Sequence, residues 1–369
     1  MSTRTGGARI LTAAAMAALL ALFVAACGTT SDDSTSASSG GSESGTVGLL
    51  LPESKTTRYE AFDHPYFEQD LKEKCPDCTL EYANADQDAA QQQSQAESML
   101  TKGVDVLVLD PVDGEAAEAI VNKAKSQDVP VISYDRLASG PVDYYVSFDN
   151  EKVGQLQGQA LLDALDEAGT TDSGDVVMIN GAPTDPNAAQ FKKGAESVLD
   201  GQVTIGKEFD TPDWSPDKAQ SEMQSAITEI GADKIVGVYS ANDGMATGIS
   251  AAMKSAGMTP PPPLTGQDAE LSAIQRLLSG DQTMTVYKAI GPEAEAAAGM
   301  AVALIQGEDY PDASDSVNNG TADVPSQLLE PVVVTADNVN DTVVKDGFYT
   351  TKEICTSQYA ADCKKYGIE

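Results

Sequence analysis

Beyond its first 45 residues the chain alternates two patterns of hydrophobicity. One is a short, nearly continuous apolar run, as at 47–51, 80–84, 106–109, 131–134 and 144–148. Such runs, rich in Val, Ile, Leu and Tyr and bounded by turn residues, predict strands buried on both faces of a parallel sheet. The other recurs every three or four residues. It predicts helices at 66–74, at 89–102 with Gly103 as its stop, and at 114–127 with Ala116, Ala119, Ile120 and Ala124 on one face. A second series follows, with strands at 176–179, 203–209, 235–239, 263–266 and 283–287. Its helices fall near 154–168, 188–199, 218–230, 245–256 and 269–278. After Lys288 come an Ala-rich helix at 292–305, a late strand at 328–334 and a short helix at 338–345.

Strands alternating with helices predict βαβ units. Two such series predict an α/β chain of two similar Rossmann-like lobes, each a parallel sheet flanked by helices. The stretch 129–150, VPVISYDRLASGPVDYYVSFDN, organises them. Its two apolar runs end in Asp135-Arg136 and in Asp149-Asn150, with the turn 138–141 between. Ligands of open α/β sheets sit beyond the carboxyl ends of strands, so Asp135 and Arg136 mark a binding edge. The second run leads into the second series, and the late strand leads back. Crossings near Phe148, Lys288 and Leu328 predict a multi-strand hinge. The expected N-terminal lobe is 46–146 plus 289–327, and the C-terminal lobe is 147–288 plus 328–369. Together they predict a clamshell closing on a small polar ligand.

The N-terminus changes the picture of location. Arg4 and Arg9 precede an apolar segment at 10–26 that ends Val24-Ala25-Ala26-Cys27-Gly28. A positive n-region and an apolar h-region of this length predict a signal peptide at 1–26. The small residues before Cys27 resemble the bacterial lipobox, in which the Cys is lipidated; a plain secretory signal or a membrane-spanning anchor is the alternative. Residues 27–45, rich in Ser, Gly and Thr, read as a flexible tether. Export implies an oxidising setting. Cys75, Cys78, Cys355 and Cys363 then suit two disulfides, with the local pairs Cys75–Cys78 and Cys355–Cys363 favoured among three pairings. The expected location is the extracytoplasmic face of the cell membrane.

Composition excludes more than it selects. The formal net charge of −34 and pI near 4.1 argue against nucleic acid and against docking on anionic lipid. One His, His64, excludes a multi-His metal site, and any Ser-His-Asp triad would rest on it alone. Cys75-Pro76-Asp77-Cys78 would serve redox catalysis only at the start of a helix, where the dipole lowers a thiol pKa. It follows the helix at 66–74 instead. No catalytic residue, metal ligand or cofactor is expected, and the chain reads as a monomer and not an enzyme.

Candidate chemistry gathers at the strand ends: Thr57-Arg58-Tyr59, Asp135-Arg136, Asp185-Pro186-Asn187, Asp213-Trp214, Asn242-Asp243, Gln267-Asp268 and Tyr287-Lys288. A single Asp or Asn in a βα loop is most simply a helix cap. Caps do not call for Arg, Lys and Trp in the same set. A sugar does: its hydroxyls need carboxylate and amide acceptors and cationic donors, and its C–H face needs an aromatic plate. Trp214, the only Trp, lies in the polar stretch TPDWSPD, which favours a loop over the core.

The stretches GVDVLVLDPVDG, VISYDR, VSFDNEKVGQLQ, YSANDGMATG, GQDAELSAIQRLLSGDQTMTVYK, NNGTADVPSQLLEPVVVT and VVKDGFY carry a family resemblance. Over nearly all of 46–349 the chain resembles the type I periplasmic sugar-binding proteins of ABC transporters, above all the xylose-binding and multiple-sugar-binding branch. The resemblance implies a monosaccharide ligand, xylose or a similar pentose or hexose, and delivery to an ABC permease. A sensor presenting its sugar to a membrane receptor shares every feature. By position, the resemblance implies ligand contacts from Arg58, Tyr59, Arg136, Asp185, Asn187, Trp214, Asn242, Asp268 and Lys288. Tyr59, Pro186, the run 260–263 and both cysteine pairs depart from the family pattern.

Overall fold

The structure, a computed structural model, describes residues 44–368; the expected signal segment, Cys27 and tether residues 27–43 lie outside the described residues. The strands are β1 (Thr46–Leu51), β2 (Thr79–Asn84), β3 (Val106–Leu109), β4 (Val131–Tyr134), β5 (Tyr144–Phe148), β6 (Asp175–Asn180), β7 (Thr204–Asp210), β8 (Ile235–Ser240), β9 (Thr285–Tyr287), β10 (Asp315–Asn318), β11 (Asp323–Leu329) and β12 (Val332–Val334). The helices are α1 (His64–Lys74), α2 (Ala89–Lys102), α3 (Glu118–Lys125), α4 (Asn150–Ala168), α5 (Pro186–Leu199), α6 (Pro216–Ile230), α7 (Asp243–Ser255), α8 (Leu271–Ser279) and α9 (Ile290–Gln306).

The first sheet runs β10-β11-β5-β4-β3-β1-β2, parallel except for the β10–β11 hairpin. Its continuous apolar strands serve two cores at once. Val47, Leu49, Leu51, Val106, Val108 and Ile132 face one side, against Phe67 and Leu71 of α1 and the alanines of α9. Leu50, Leu107, Leu109 and Val131 face the other, against Met99 and Leu100 of α2 and Ile120 and Val121 of α3. The second sheet is β7-β6-β8, all parallel. Leu264 bridges to Val238 of β8, and Gln267 to Val286 of β9, which pairs antiparallel with β12. Both sheets place β1 and β6 between neighbours reached in opposite directions, the switch point at which such sheets take ligands.

Three crossings join the halves: after Phe148, after Lys288, and between Leu329 and Val332. The first sheet takes in Ser147, Phe148, Leu328 and Leu329, two residues beyond the expected lobe boundaries on each strand. Residues from Val339 to Ile368 pack on Ile274, Leu277 and Leu278 of α8, and Phe348 stacks on Phe62 at 4.1 Å between centroids. The structure joins Cys75 to Cys78 and Cys355 to Cys363, with Cα atoms 5.3 and 5.8 Å apart. Cys75 stands at the carboxyl end of α1.

Four expected elements differ, three of them for a local reason. The helix at 114–127 begins only at Glu118, because Asp113 Oδ1 accepts the Glu115 and Ala116 amides and turns the chain first. The strand at 263–266 reduces to one bridge, at Leu264, with a second just beyond it at Gln267, since Pro263 and the prolines before it carry no amide donor for a ladder. The late strand at 328–334 is two strands in two sheets, broken at Glu330-Pro331. The helix at 338–345 is a π-helical turn, Asn340–Val344.

Candidate functional site

Helix caps prepare the site from below. Asp185 accepts the Asn187 amide at the start of α5, and Asn242 the Met245 amide at the start of α7. Each cap fixes its side chain at a strand end, with the positive end of a helix beside it. Around these caps lie residues with unusual backbone. Asp135, Asp213, Trp214, Asp268 and Ala269 all have positive φ, between 49 and 90°. Non-glycine residues rarely adopt this region, and they hold it where their surroundings over-determine it. Asp135 shows how: its carbonyl accepts from Tyr145 Oη (3.0 Å), Ser147 Oγ (2.6 Å) and Asn187 Nδ2 (3.0 Å).

Arg58, Tyr59, Arg136, Asp185, Asn187, Trp214, Asn242, Asp268 and Lys288, the nine residues read from the sequence, all line one cavity of about 20 Å3 between the two sheets. Every one is buried, and the space holds about one water. Thr56, Asp135, Phe191 and Gln267 complete the wall. Asp135 was visible beside Arg136 at its strand end. Phe191 was not, because an apolar residue on a helix reads as core, and it lies within reach of Trp214 (6.3 Å between centroids) as well as the cavity.

The cations and carboxylates pair in a chain. Arg58 contacts Asp63 (2.6 Å), Glu293 (2.6 Å) and Asp135 (3.1 Å). Lys288 lies 3.2 Å from Asp268 and 3.7 Å from Asp135. The Tyr59 hydroxyl donates to Asp135 (3.2 Å) and accepts from Arg136 Nη2 (3.1 Å). Arg136 Nε lies 2.8 Å from Asp185 across the cleft. Trp214 donates from Nε1 to Asp185 at 3.1 Å, and its ring lies over Gly181, where a Cβ would come within 2.0 Å of it. Gly181 carries no chemistry of its own and left no signal in the sequence.

These contacts set the charges. Burial pushes the Asp135 carboxyl up, but Arg58, Lys288 and Arg136 together hold it down at about 2. Burial pushes Asp185 above the usual carboxylate range, only partly offset by Arg136. It raises Glu293 to about 8, against the pull of Arg58. Lys288 loses from burial and gains more from Asp268 and Asp135, so it stays a cation. Asn187 Oδ1 and Gln267 Oε1 are buried with no hydrogen-bond donor, and Asp268 Oδ1 has only its ion pair with Lys288. They are acceptors aimed at a space that also holds cationic donors, an arrangement that suits a compact polyol. Among the described residues no cluster of metal-ligating side chains occurs. His64 takes no part; its ring stacks on Tyr82 at 3.6 Å.

A wider groove of about 460 Å3 lies outside the cavity, lined by Gly114 and Leu137 on one side and Thr184 and Pro186 on the other. The Gly114 amide donates across it to the Thr184 carbonyl at 3.1 Å, so the halves also touch outside the cavity.

Comparison with known proteins places this geometry. Residues 47–309 match the family described as periplasmic binding protein domain. The D-xylose-binding periplasmic protein of Escherichia coli (strain K12) is 37% identical over 314 residues, 84% of this chain and 92% of that protein. The multiple sugar-binding periplasmic receptor ChvE of Rhizobium radiobacter is 33% identical over 333 residues, 85% of this chain and 93% of that protein. Among solved structures, an ABC transporter solute binding protein from Clostridium phytofermentans with bound β-D-glucose superposes with a TM-score of 0.77 at 29% identity, covering 84% of this chain and 99% of that one.

Proposed function

The chain belongs to the periplasmic binding protein family, and on that premise we propose that it captures a monosaccharide outside the cell membrane and hands it to an ABC import permease. The ligand is xylose or a similar pentose or hexose. One observation carries the reading: nine strand-end residues from both halves close on a single cavity with orphaned acceptors and paired cations. Asp268, Asn187 and Asn242 take the sugar's hydroxyl protons, Arg136 and Lys288 donate to its oxygens, and Trp214 covers its C–H face. The cavity is far too small to admit a sugar as it stands, so capture requires the halves to part about the three crossings and the paired side chains to exchange partners.

Cys27 carries the lipid anchor in this reading, and residues 27–45 tether the binding domain to the membrane. Cys27→Ala should release the protein or leave it unprocessed; a processed mutant that still fractionates with membrane sinks the anchor. The binding reading is tested by thermal shift against pentoses, hexoses and their epimers. A ligand at a hundred times its dissociation constant should stabilise by about 2.7 kcal/mol. Absence of a shift with every sugar overturns sugar capture.

A further inference from the structure

Asp110 stands at the end of β3, fully buried, and neither of its carboxylate oxygens accepts a hydrogen bond. Its nearest cation is Arg136, whose Nε lies 3.6 Å from Asp110 Oδ1. The same Nε lies 2.8 Å from Asp185 Oδ2 on the facing half, and its N–H aims along neither line. Two carboxylates therefore flank one guanidinium, and they are unequally furnished. Asp185 already accepts from the Asn187 amide (2.8 Å) and from Trp214 Nε1 (3.1 Å). Asp110 has no such donor, because the Tyr59 hydroxyl is spent on Asp135, and Arg136 exerts the largest pull of any cation on it, ahead of Arg58.

A buried carboxylate without a donor is costly, and it persists where another state of the molecule satisfies it. Opening supplies that state. Asp185 departs with the β6–α5 loop, while Asp110 and Arg136 remain at the ends of adjacent paired strands, β3 and β4. We propose that Arg136 is a two-position switch, paired with Asp110 when the cleft is open and with Asp185 and the sugar when it is closed. Asp110 is a positioning residue that never touches the ligand; it draws Arg136 back and so opposes closure. The inference rests on the sugar-capture reading above.

A proton follows the switch. Asp110 is faced by Arg136 and Asp135 from the loop after β4, by Arg58 and Tyr59 from the segment after β1, and by Asp185 from the other half. In the closed form burial pushes its carboxyl well above the usual range. Paired with Arg136 in the open form it would be held down. Closure then takes up a proton, and affinity falls as pH rises through the closed-state value.

The test is calorimetric titration and stopped-flow release with D-xylose and D-glucose as probes, on wild type, Asp110→Asn and Asp110→Ala. Titrations are repeated in buffers of different ionisation enthalpy, with circular dichroism to confirm folding. The switch predicts tighter binding by both variants, by about two- to thirtyfold and mainly through slower release. It also predicts proton uptake by wild type that both variants lose. Sugar binding by wild type with equal or weaker binding by a folded variant, or with proton uptake unchanged in the variants, overturns the switch alone. No binding of any sugar by wild type overturns the capture reading and the switch with it.

Discussion

Asp268 presents its carboxylate from a backbone with φ of 90°, 3.2 Å from the Lys288 ammonium. Removing it would leave that ammonium with Asp135 alone, 3.7 Å away, as well as delete an acceptor. Truncating one member of a buried charged pair costs about 2–5 kcal/mol in binding, and Asp268→Ala and Arg136→Ala should each fall in that range. Trp214→Ala should cost less and flatten discrimination among epimers, because a stacking face reads ring shape and not individual hydroxyls. Titration calorimetry of the folded variants with the best sugar decides it; wild-type affinity in both charge variants would place the pocket elsewhere. The buried acids beyond the cavity speak in pH. Burial raises Glu293 and Asp243 to about 8 and Glu270 to about 7, against about 4 in an unfolded chain. The folded state therefore holds more protons between those values. This contribution to stability is complete below pH 4 and is lost as pH rises through 7 and 8. Melting temperature should fall from pH 5.5 to pH 8.5, and Glu293→Gln should flatten part of the slope. A melting temperature that rises over this interval contradicts it.

At the scale of elements, glycines set how closely helices approach. A Cβ on Gly154 of α4 would lie 1.9 Å from the Phe191 carbonyl oxygen, and one on Gly194 of α5 would lie 2.1 Å from that of Glu151. The two helices thus meet backbone to backbone. Gly154→Ala must separate them, and overpacking of this kind costs about 1–3 kcal/mol. Denaturant melts should show that loss; an unchanged midpoint would mean the helices shift freely. These glycines, like Gly181 under Trp214, are silent in a sequence, where nothing shows what a missing side chain makes room for. The strands β3, β4 and β5 were legible to the residue, because each is an apolar run buried on both faces and closed by a charged residue, Asp110, Asp135 or Asp149. β10, with the sequence DSVN and mostly exposed, offers no apolar signal; it exists only by pairing with β11. The ring of site residues was legible because cations and an indole at successive strand ends have no capping role. Asp63 and Glu293 were not, since each is defined by Arg58, and Glu293 lies 235 residues away from it.

On the sugar-capture reading the whole molecule is a hinge with a preference. Its closed cleft is held without help from a ligand by Arg136–Asp185, Lys288–Asp135, the Asn187 amide on the Asp135 carbonyl, and the Gly114–Thr184 hydrogen bond on the outer flank. Against these stand Asp110 and Asn187 Oδ1, buried and without donors when closed, and the cost of drying the charged side chains of the cavity wall. A ligand shifts such a population when gains and costs nearly cancel and leave the two forms within a few kcal/mol of each other. A sugar can do so only through contacts it makes in the closed form, and the residues that would make them sit on both halves. Saturating sugar should therefore lower the radius of gyration in small-angle scattering. Asp185→Asn, which removes the cross-cleft partner of Arg136, should raise the radius of the unliganded protein toward that of the open form and widen the change on adding sugar. A radius unchanged by proven saturation in both proteins would mean that the three crossings are rigid and that the ligand enters by a local movement of the loops at Gly114 and Thr184.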